Sequence, residues 1–344
     1  MKRGKVILVL FIVLMAVAAV FGWMFWKRVF GPGPAFNEPV KALLIPTGAG
    51  LDQVIDSLVA NGMIADEKAF RLVADRKKYN NRVKPGRYVV ASGTSLNDLI
   101  NKLRSGEQDP VRITFNTIHR LPELAGKVAA YLECDSLTLL KVLLDPAVAQ
   151  EYGFTQEEFI GMFIPDTYET WWTETPRDFV ARMAREYKNY WTDERKQKAA
   201  ACKLDQTDVS VLASIVQAET GVRSDAPSIA GVYLNRLRIG MPLQADPTLK
   251  YALGLDTVSR VLDVDKRIDS PYNTYLHTGL PPGPINLPEK HYLEAVLNAA
   301  DHDYLYFCAS ETLDGHSNFA KTYEQHMVNA RRYHRALNER GIYR

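Results

Sequence analysis

LDQVIDSL (residues 51–58) and LNDLINKL (residues 96–103) decide how this chain reads. Leu51, Val54, Ile55 and Leu58 fall at i, i+3, i+4 and i+7, and Leu96, Leu99, Ile100 and Leu103 repeat that spacing 45 residues later. Each set makes one apolar stripe of an α-helix. Each also follows a short β-prone run, KALLIP (41–46) and GRYVVA (86–91). Thr94 or Ser95 can cap the second helix, and Gly62 and Gly106 suit the helix ends. A looser third copy follows: VRITF (111–115), then Leu121, Leu124, Ala125 and Val128. Strand-then-helix units of this size predict an α+β class built from small modules.

The 344 residues allow two or three domains. Lys and Arg number 42 and Asp and Glu 40, so the net charge is 42 − 40 = +2, which gives no electrostatic case for nucleic acid as a partner. MKRGK precedes Val6–Trp26, a run without a charge. At about 1.5 Å per residue that run crosses a bilayer core of about 30 Å, and Trp23 and Trp26 sit at one end as interfacial anchors would. The apolar run continues past AVA (16–18), which favours an uncleaved transmembrane helix over a signal peptide. The expected layout is a cytoplasmic tail at 1–5, a transmembrane helix at 6–26, a linker at 27–39, a first module at 40–108, an α/β and helical connecting region at 109–203, and a third region at 204–344. Lys2, Arg3 and Lys5 put the N-terminus inside and the bulk of the chain outside. Cys134, Cys202 and Cys308 are far apart and read as small buried hydrophobes. His277, His291, His302, His316 and His326 show no metal-ligand spacing, so neither a metal nor a cofactor is expected.

LASIVQAETGVRSDAP (212–227) places a carboxylate where none is cheap. Glu219 lies at i+7 from Leu212, on the stripe of Ile215 and Val216. A buried carboxylate is costly unless it is paired or stays protonated. One reading pairs it with Arg236, which lies at i+7 from Ile229 on the next apolar stripe together with Val232 and Tyr233. The other makes it a general acid whose raised pKa keeps a proton to donate, as the cleavage of a glycosidic bond requires. Asp246, in LQADPTLKYALG (243–254), is either a second carboxylate or a turn residue before Pro247. The polar side chains of SPYNTY (270–275) suit sugar hydroxyls or their own loop, and GLPPGP (279–284) reads as a stiff groove wall.

Five blocks then carry a resemblance: GMFIPDTY (161–168), LASIVQAET (212–220), IAGVYLNRLRIGMPLQADPTLKYALG (229–254), SPYNTYLHTGLPPGPI (270–285) and YLYFCASETLDGHSNFAKTYEQH (304–326). In order and spacing the chain resembles the YceG-like family of endolytic murein transglycosylases, from about Val40 to Arg335. The resemblance implies a LysM-like subdomain at 40–108 and a C-terminal α+β catalytic domain at 204–344. It implies Glu219 as the catalytic acid, with substrate contacts at Asn235, Arg236, Gln244, Asp246, Tyr272, Asn273 and Tyr275. Gln217 and Ala218 stand where the family often has Glu-Lys, and Ala245 where Ser or Thr is usual. The implied reaction is non-hydrolytic cleavage of the MurNAc-β-1,4-GlcNAc bond inside a peptidoglycan strand. It leaves 1,6-anhydro-MurNAc ends at the periplasmic face of the inner membrane, with peptidoglycan synthases as expected partners. The alternatives are a non-catalytic glycan-binding scaffold and a hydrolytic muramidase using Asp246 or Asp269.

Overall fold

A computed structural model describes residues 2–254 and 262–342. The chain divides into two compact units, one made of residues 1–113 with 131–133 and 169–174, the other of 114–130, 134–168 and 175–344.

In the first unit α1 (Lys2–Phe30), β1 (Val40–Ile45), α2 (Leu51–Ala60), α3 (Glu67–Arg76), β2 (Gly86–Ala91) and α4 (Leu96–Ser105) follow in order. The expected stripes are the buried ones: Val54, Ile55 and Leu58 of α2, and Leu99, Ile100 and Leu103 of α4. Ser95 caps α4, its Oγ accepting from the Asp98 N–H at 3.1 Å. The strands do not head separate modules. They pair antiparallel with each other, Val40 opposite Ala91 and Ile45 opposite Gly86. Leu43 and Ile45 of β1, with Tyr88 and Val90 of β2, all lie in the core shared with the helices. An additional helix, α3, starts where Asp66 accepts from the Ala69 N–H at 3.0 Å, and it buries Phe70, Val73 and Ala74. The recurrence in sequence thus folds as one β-α-α-β-α body.

The span Gly4–Phe30 is long and apolar enough to cross a membrane, and none of its most apolar stretch is buried. Its last turn is docked, however. Val29 is 3% exposed in the core of the first unit, Arg28 pairs with Asp66 at 3.2 Å, and the Arg76 guanidinium lies over the Phe25 ring at 5.6 Å. The residues read as a linker are tied down as well. The Gly33 N–H donates to Gly93 O, the Gly93 N–H to Pro34 O, and the Ser92 N–H to Pro39 O. A Cβ at Gly33 would lie 2.1 Å from Thr94 O, so only glycine lets this segment approach so closely.

Beyond α4 come β3 (Val111–Phe115), α5 (Leu121–Ala129), α6 (Ser136–Leu143), α7 (Pro146–Glu151), β4 (Asp166–Thr170), α8 (Pro176–Tyr190), α9 (Asp193–Ala201) and α10 (Gln206–Glu219). Then follow α11 (Ala226–Arg238), α12 (Asp246–Leu253), α13 (Lys290–Leu297), β5 (Tyr306–Ala309), β6 (Ser317–Ala320) and α14 (Tyr323–Glu339). The stretch FIPDTYETWW (163–172) contributes β4, and its Thr167 hydroxyl meets that of Thr114 on β3 at 2.8 Å. The core of the second unit centres on α10, where every residue from Val209 to Val216 is buried. This helix therefore has core on all sides rather than a single buried stripe. A reciprocal capping box starts it: Asp205 accepts from the Asp208 N–H at 2.7 Å, and Asp208 from the Asp205 N–H at 3.1 Å.

Because Val29 belongs to the core of the first unit, a truncated chain beginning at Gly31 should be less stable than one beginning at Trp23, by about 1–2 kcal/mol for one buried valine. Urea midpoints of the two forms check this, and equal midpoints would remove Val29 from the fold.

Candidate active site

Parts of three helices build the site: the C-terminal end of α10, the second half of α11 and the N-terminal end of α12. Glu219 is the last residue of α10, where the next residue, Thr220, turns extended. The partial negative charge at a helix C-terminus disfavours an anion there. Packing disfavours it further. Glu219 is half-buried as a residue, and burial around its carboxyl is the main force pushing its pKa up to about 7. A hydrogen bond from the buried Tyr233 hydroxyl to Glu219 Oε1, at 2.8 Å, opposes that rise. The negative charge of Asp246 adds to it, and the more weakly felt charges of Arg236 and Lys250 pull the other way.

Arg236 does not clamp Glu219. Its Nε donates to Leu305 O at 2.7 Å and its Nη1 to Leu243 O at 2.6 Å, and its guanidinium lies 5.4 Å from the Tyr306 ring centre. Nearly all of it is buried, at 7% exposure, and burial holds its pKa below the usual arginine value. Its role is to tie the segment entering β5 and the turn before α12 onto α11, with its positive charge a secondary influence on the acid.

Asp246 opens α12 on the exposed side of the site, and the Tyr275 hydroxyl donates to its Oδ1 at 2.6 Å. The N-terminal turn of a helix favours a negative side chain. The two carboxyls thus occupy opposite ends of helix dipoles, one where charge is penalised and one where it is welcome. Tyr275 itself is pushed up, first by burial and then by its bond to Asp246. Gln244 is exposed and holds φ +49, a left-handed backbone that is unusual for a residue with a side chain; its N–H donates to Thr274 O at 2.9 Å.

The structure therefore gathers Glu219, Arg236, Asp246 and Tyr275 from the expected set, with Gln244 two residues from Asp246. Two others are occupied within the chain. Asn235 Nδ2 donates to His302 O at 2.7 Å and to Tyr304 O at 3.1 Å. Asn273 Nδ2 donates to Lys266 O and Ile268 O, while its Oδ1 accepts from the Tyr275 N–H at 3.0 Å. Tyr272 packs its ring 4.8 Å from that of Tyr251. Sequence reasoning had not assigned a site role to Tyr233 or Lys250. Lys250 was signalled by its i+4 spacing from Asp246 on α12, and Tyr233 by being a phenol on an otherwise apolar stripe.

The segment after SPYNTY forms the floor behind α10. Ser214 Oγ accepts from the Ile285 N–H at 3.0 Å, and Asn286 Nδ2 donates to Ser214 O at 2.9 Å. Gln217 accepts from the Glu289 N–H at 2.7 Å through Oε1 and donates to Leu287 O at 3.2 Å through Nε2. A Cβ at Gly283 would sit 2.1 Å from Glu157 O, so the Pro-Gly-Pro run is pressed onto neighbouring backbone.

Residues 43–332 match the YceG-like family, a span that holds every residue of this site. An endolytic murein transglycosylase of Bacillus subtilis is 28% identical over 333 residues, covering 92% of this chain and 91% of its own length. An endolytic murein transglycosylase of Streptococcus pneumoniae is 27% identical over 361 residues; it covers 94% of this chain, which spans only 64% of that longer protein. Among solved structures, a YceG-like protein of Listeria monocytogenes aligns with 84% of this chain and 98% of its own, at a TM-score of 0.56 and 26% identity. With the family matched over most of its length, the chain belongs to the YceG-like family.

Proposed function

We propose that this chain is a membrane-anchored endolytic lytic transglycosylase, cleaving the MurNAc-β-1,4-GlcNAc bond within peptidoglycan strands and leaving 1,6-anhydro-MurNAc ends. The observation that carries the reading is Glu219: a carboxyl raised by burial to a pKa of about 7, on a residue that is only half-buried, hydrogen-bonded by a phenol and free of a guanidinium clamp. Such a group is divided between acid and carboxylate at neutral pH, as a residue that must first give and then take a proton requires. Since Oε1 accepts from Tyr233, the transferable proton belongs on Oε2. Glu219 protonates the bridging oxygen as the glycosidic bond breaks. The carboxylate left behind then removes the proton of the MurNAc C6 hydroxyl, which attacks C1 and closes the anhydro ring. Asp246, held by Tyr275, places negative charge on the same site, where an oxocarbenium-like transition state benefits from it.

Asp246 also supports a second reading, a muramidase in which it directs water to C1. The products separate the two: lytic cleavage gives ends lighter by one water than hydrolytic reducing ends.

The first unit serves in this reading as the LysM-like glycan-gripping module, supported by its strand–helix–helix–strand order from β1 to β2. Residues 204–344 are proposed as the catalytic domain. The apolar helix α1 is proposed as the anchor, N-terminus inside the cytoplasmic membrane and the remainder on the periplasmic side, near peptidoglycan synthases.

Glu219→Gln should lower turnover of purified peptidoglycan by about a hundredfold or more, because the amide keeps the shape and the Tyr233 bond but carries no acidic proton. Near-normal release of anhydro-muropeptides, read by mass spectrometry, would exclude Glu219 as the acid. Wild-type activity should fall as pH rises through about 7, the point at which Glu219 loses its proton. The same proton governs stability. Folding lifts this carboxyl from its ordinary 4.5 to about 7, so its favourable contribution is complete below 4.5 and is lost as pH rises through about 7. Glu219→Gln should therefore melt above the wild type at about pH 8, by the equivalent of about 2–3 kcal/mol, and should match it at about pH 4; equal melting curves at both pH values would refute the shift. Asp246→Asn should keep the anhydro product and move the alkaline limb of activity to lower pH. Loss of activity together with wild-type products that are reducing ends would establish the hydrolase instead.

A further inference from the structure

Two cavities of ≈ 390 and ≈ 370 Å³ adjoin in the second unit, sharing Asp166, Lys290 and His291. Neither contains Glu219, Asp246 or Tyr275, and the mechanism above leaves both unused. The larger is lined in part by two core residues, Ile164 and Tyr190, at 4% and 8% exposure. Their charges are ordered. Lys290 and Glu294 lie at i and i+4 on α13, one helical turn or about 6 Å apart along the axis. Lys290 pairs with Asp166 of β4, and Glu294 pairs with Arg195 of α9, whose Nε lies 2.7 Å from its Oε1. One wall therefore shows plus then minus, and the wall facing it minus then plus. Each of these four side chains keeps between 31% and 46% of its surface exposed. Ion pairs so exposed add little stability, so a ligand can replace one partner at low cost.

The cavities adjoin the end of the catalytic helix. Tyr292, two residues past Lys290, donates its hydroxyl to Thr220 O at 2.8 Å, and the Glu289 N–H bonds Gln217. A murein strand bears short peptides that carry carboxylates and an amino group. At about 3.3–3.6 Å per residue, groups about two residues apart match the 6 Å alternation.

We propose that this pair of cavities is a subsite for the peptide carried on the glycan, with its carboxylate beside Lys290 or Arg195 and its ammonium beside Asp166 or Glu294. The proposal rests on the murein-cleaving reading above and adds a specificity that the sugar chemistry alone does not supply. Asp166 belongs to GMFIPDTY, a block with no role in the acid chemistry, and in this assignment its carboxylate has one.

The test uses the full chain in detergent with two substrates, peptidoglycan strands with their peptides and strands stripped of them by an amidase. Wild type should favour the peptide-bearing strand in kcat/KM by about tenfold or more. In the charge-swapped double variant Asp166→Lys/Lys290→Asp, which keeps an ion pair and so protects folding, that ratio should collapse toward one. A wild-type ratio already near one, or a ratio unmoved by the swap, overturns the subsite. In a parallel arm, calorimetry measures binding of the free peptide L-Ala-γ-D-Glu-L-Lys to wild type and to the swapped variant. Binding that the swap abolishes, without cleavage of either strand, would uphold the subsite and defeat the enzymatic reading. Cleavage without peptide binding would do the reverse.

Discussion

The hydrogen bond from Tyr233 to Glu219 depends on α10 having core on all sides. A helix with one wet face can rock about its axis, and a residue at its end moves with it. Between Val209 and Val216 α10 has no wet side, so its terminal carboxyl is positioned by packing and not by a loop. The penalty on its charge is part of that same packing: desolvation raises the pKa, and the phenol limits the rise while choosing which oxygen stays free. Replacing that phenol with a guanidinium would turn a poised acid into a permanent anion. In this chain the nearby arginine is held away by backbone carbonyls of two other segments.

Those carbonyls explain why part of the site could be read in the sequence and part could not. The helical stripes of α2, α4 and α5 and the anomaly of Glu219 were visible because they depend on neighbours three or four residues away. The fate of Arg236 depends on Leu305, 69 residues on, and that of Asp246 on Tyr275, 29 residues on. No local pattern encodes such partners. The same limit governs Asn235 and Asn273: an amide suited to a sugar hydroxyl is equally suited to a peptide carbonyl, and only the fold shows that carbonyls reached them first. The pairing of β1 with β2 was hidden for a similar reason, since a recurring strand-then-helix pattern is silent on whether its strands meet each other.

Two of the positions at which the resemblance sets this chain apart, 217 and 245, have a physical account. Gln217 fastens Leu287 and Glu289 to the back of α10 with both ends of its amide. A neutral side chain suits that double duty of donor and acceptor, which a carboxylate cannot perform. Ala245 is fully buried, its N–H bonded to Thr274 Oγ1 at 3.0 Å, and the Thr248 and Thr274 hydroxyls meet beside it at 2.9 Å. The polar character expected at this place is supplied by its neighbours.

The docking of Val29, Arg28 and Gly33 against the first unit has a mechanical consequence. A tether made of glycine and proline would let a surface enzyme sweep out a hemisphere around its point of insertion. Here the helix enters a folded body without slack, so its tilt and rotation pass directly into that body. If α1 sits in a bilayer and the first unit grips glycan, both as proposed, that unit samples a thin layer parallel to the membrane, and the polymer within its reach is set by altitude as much as by chemistry.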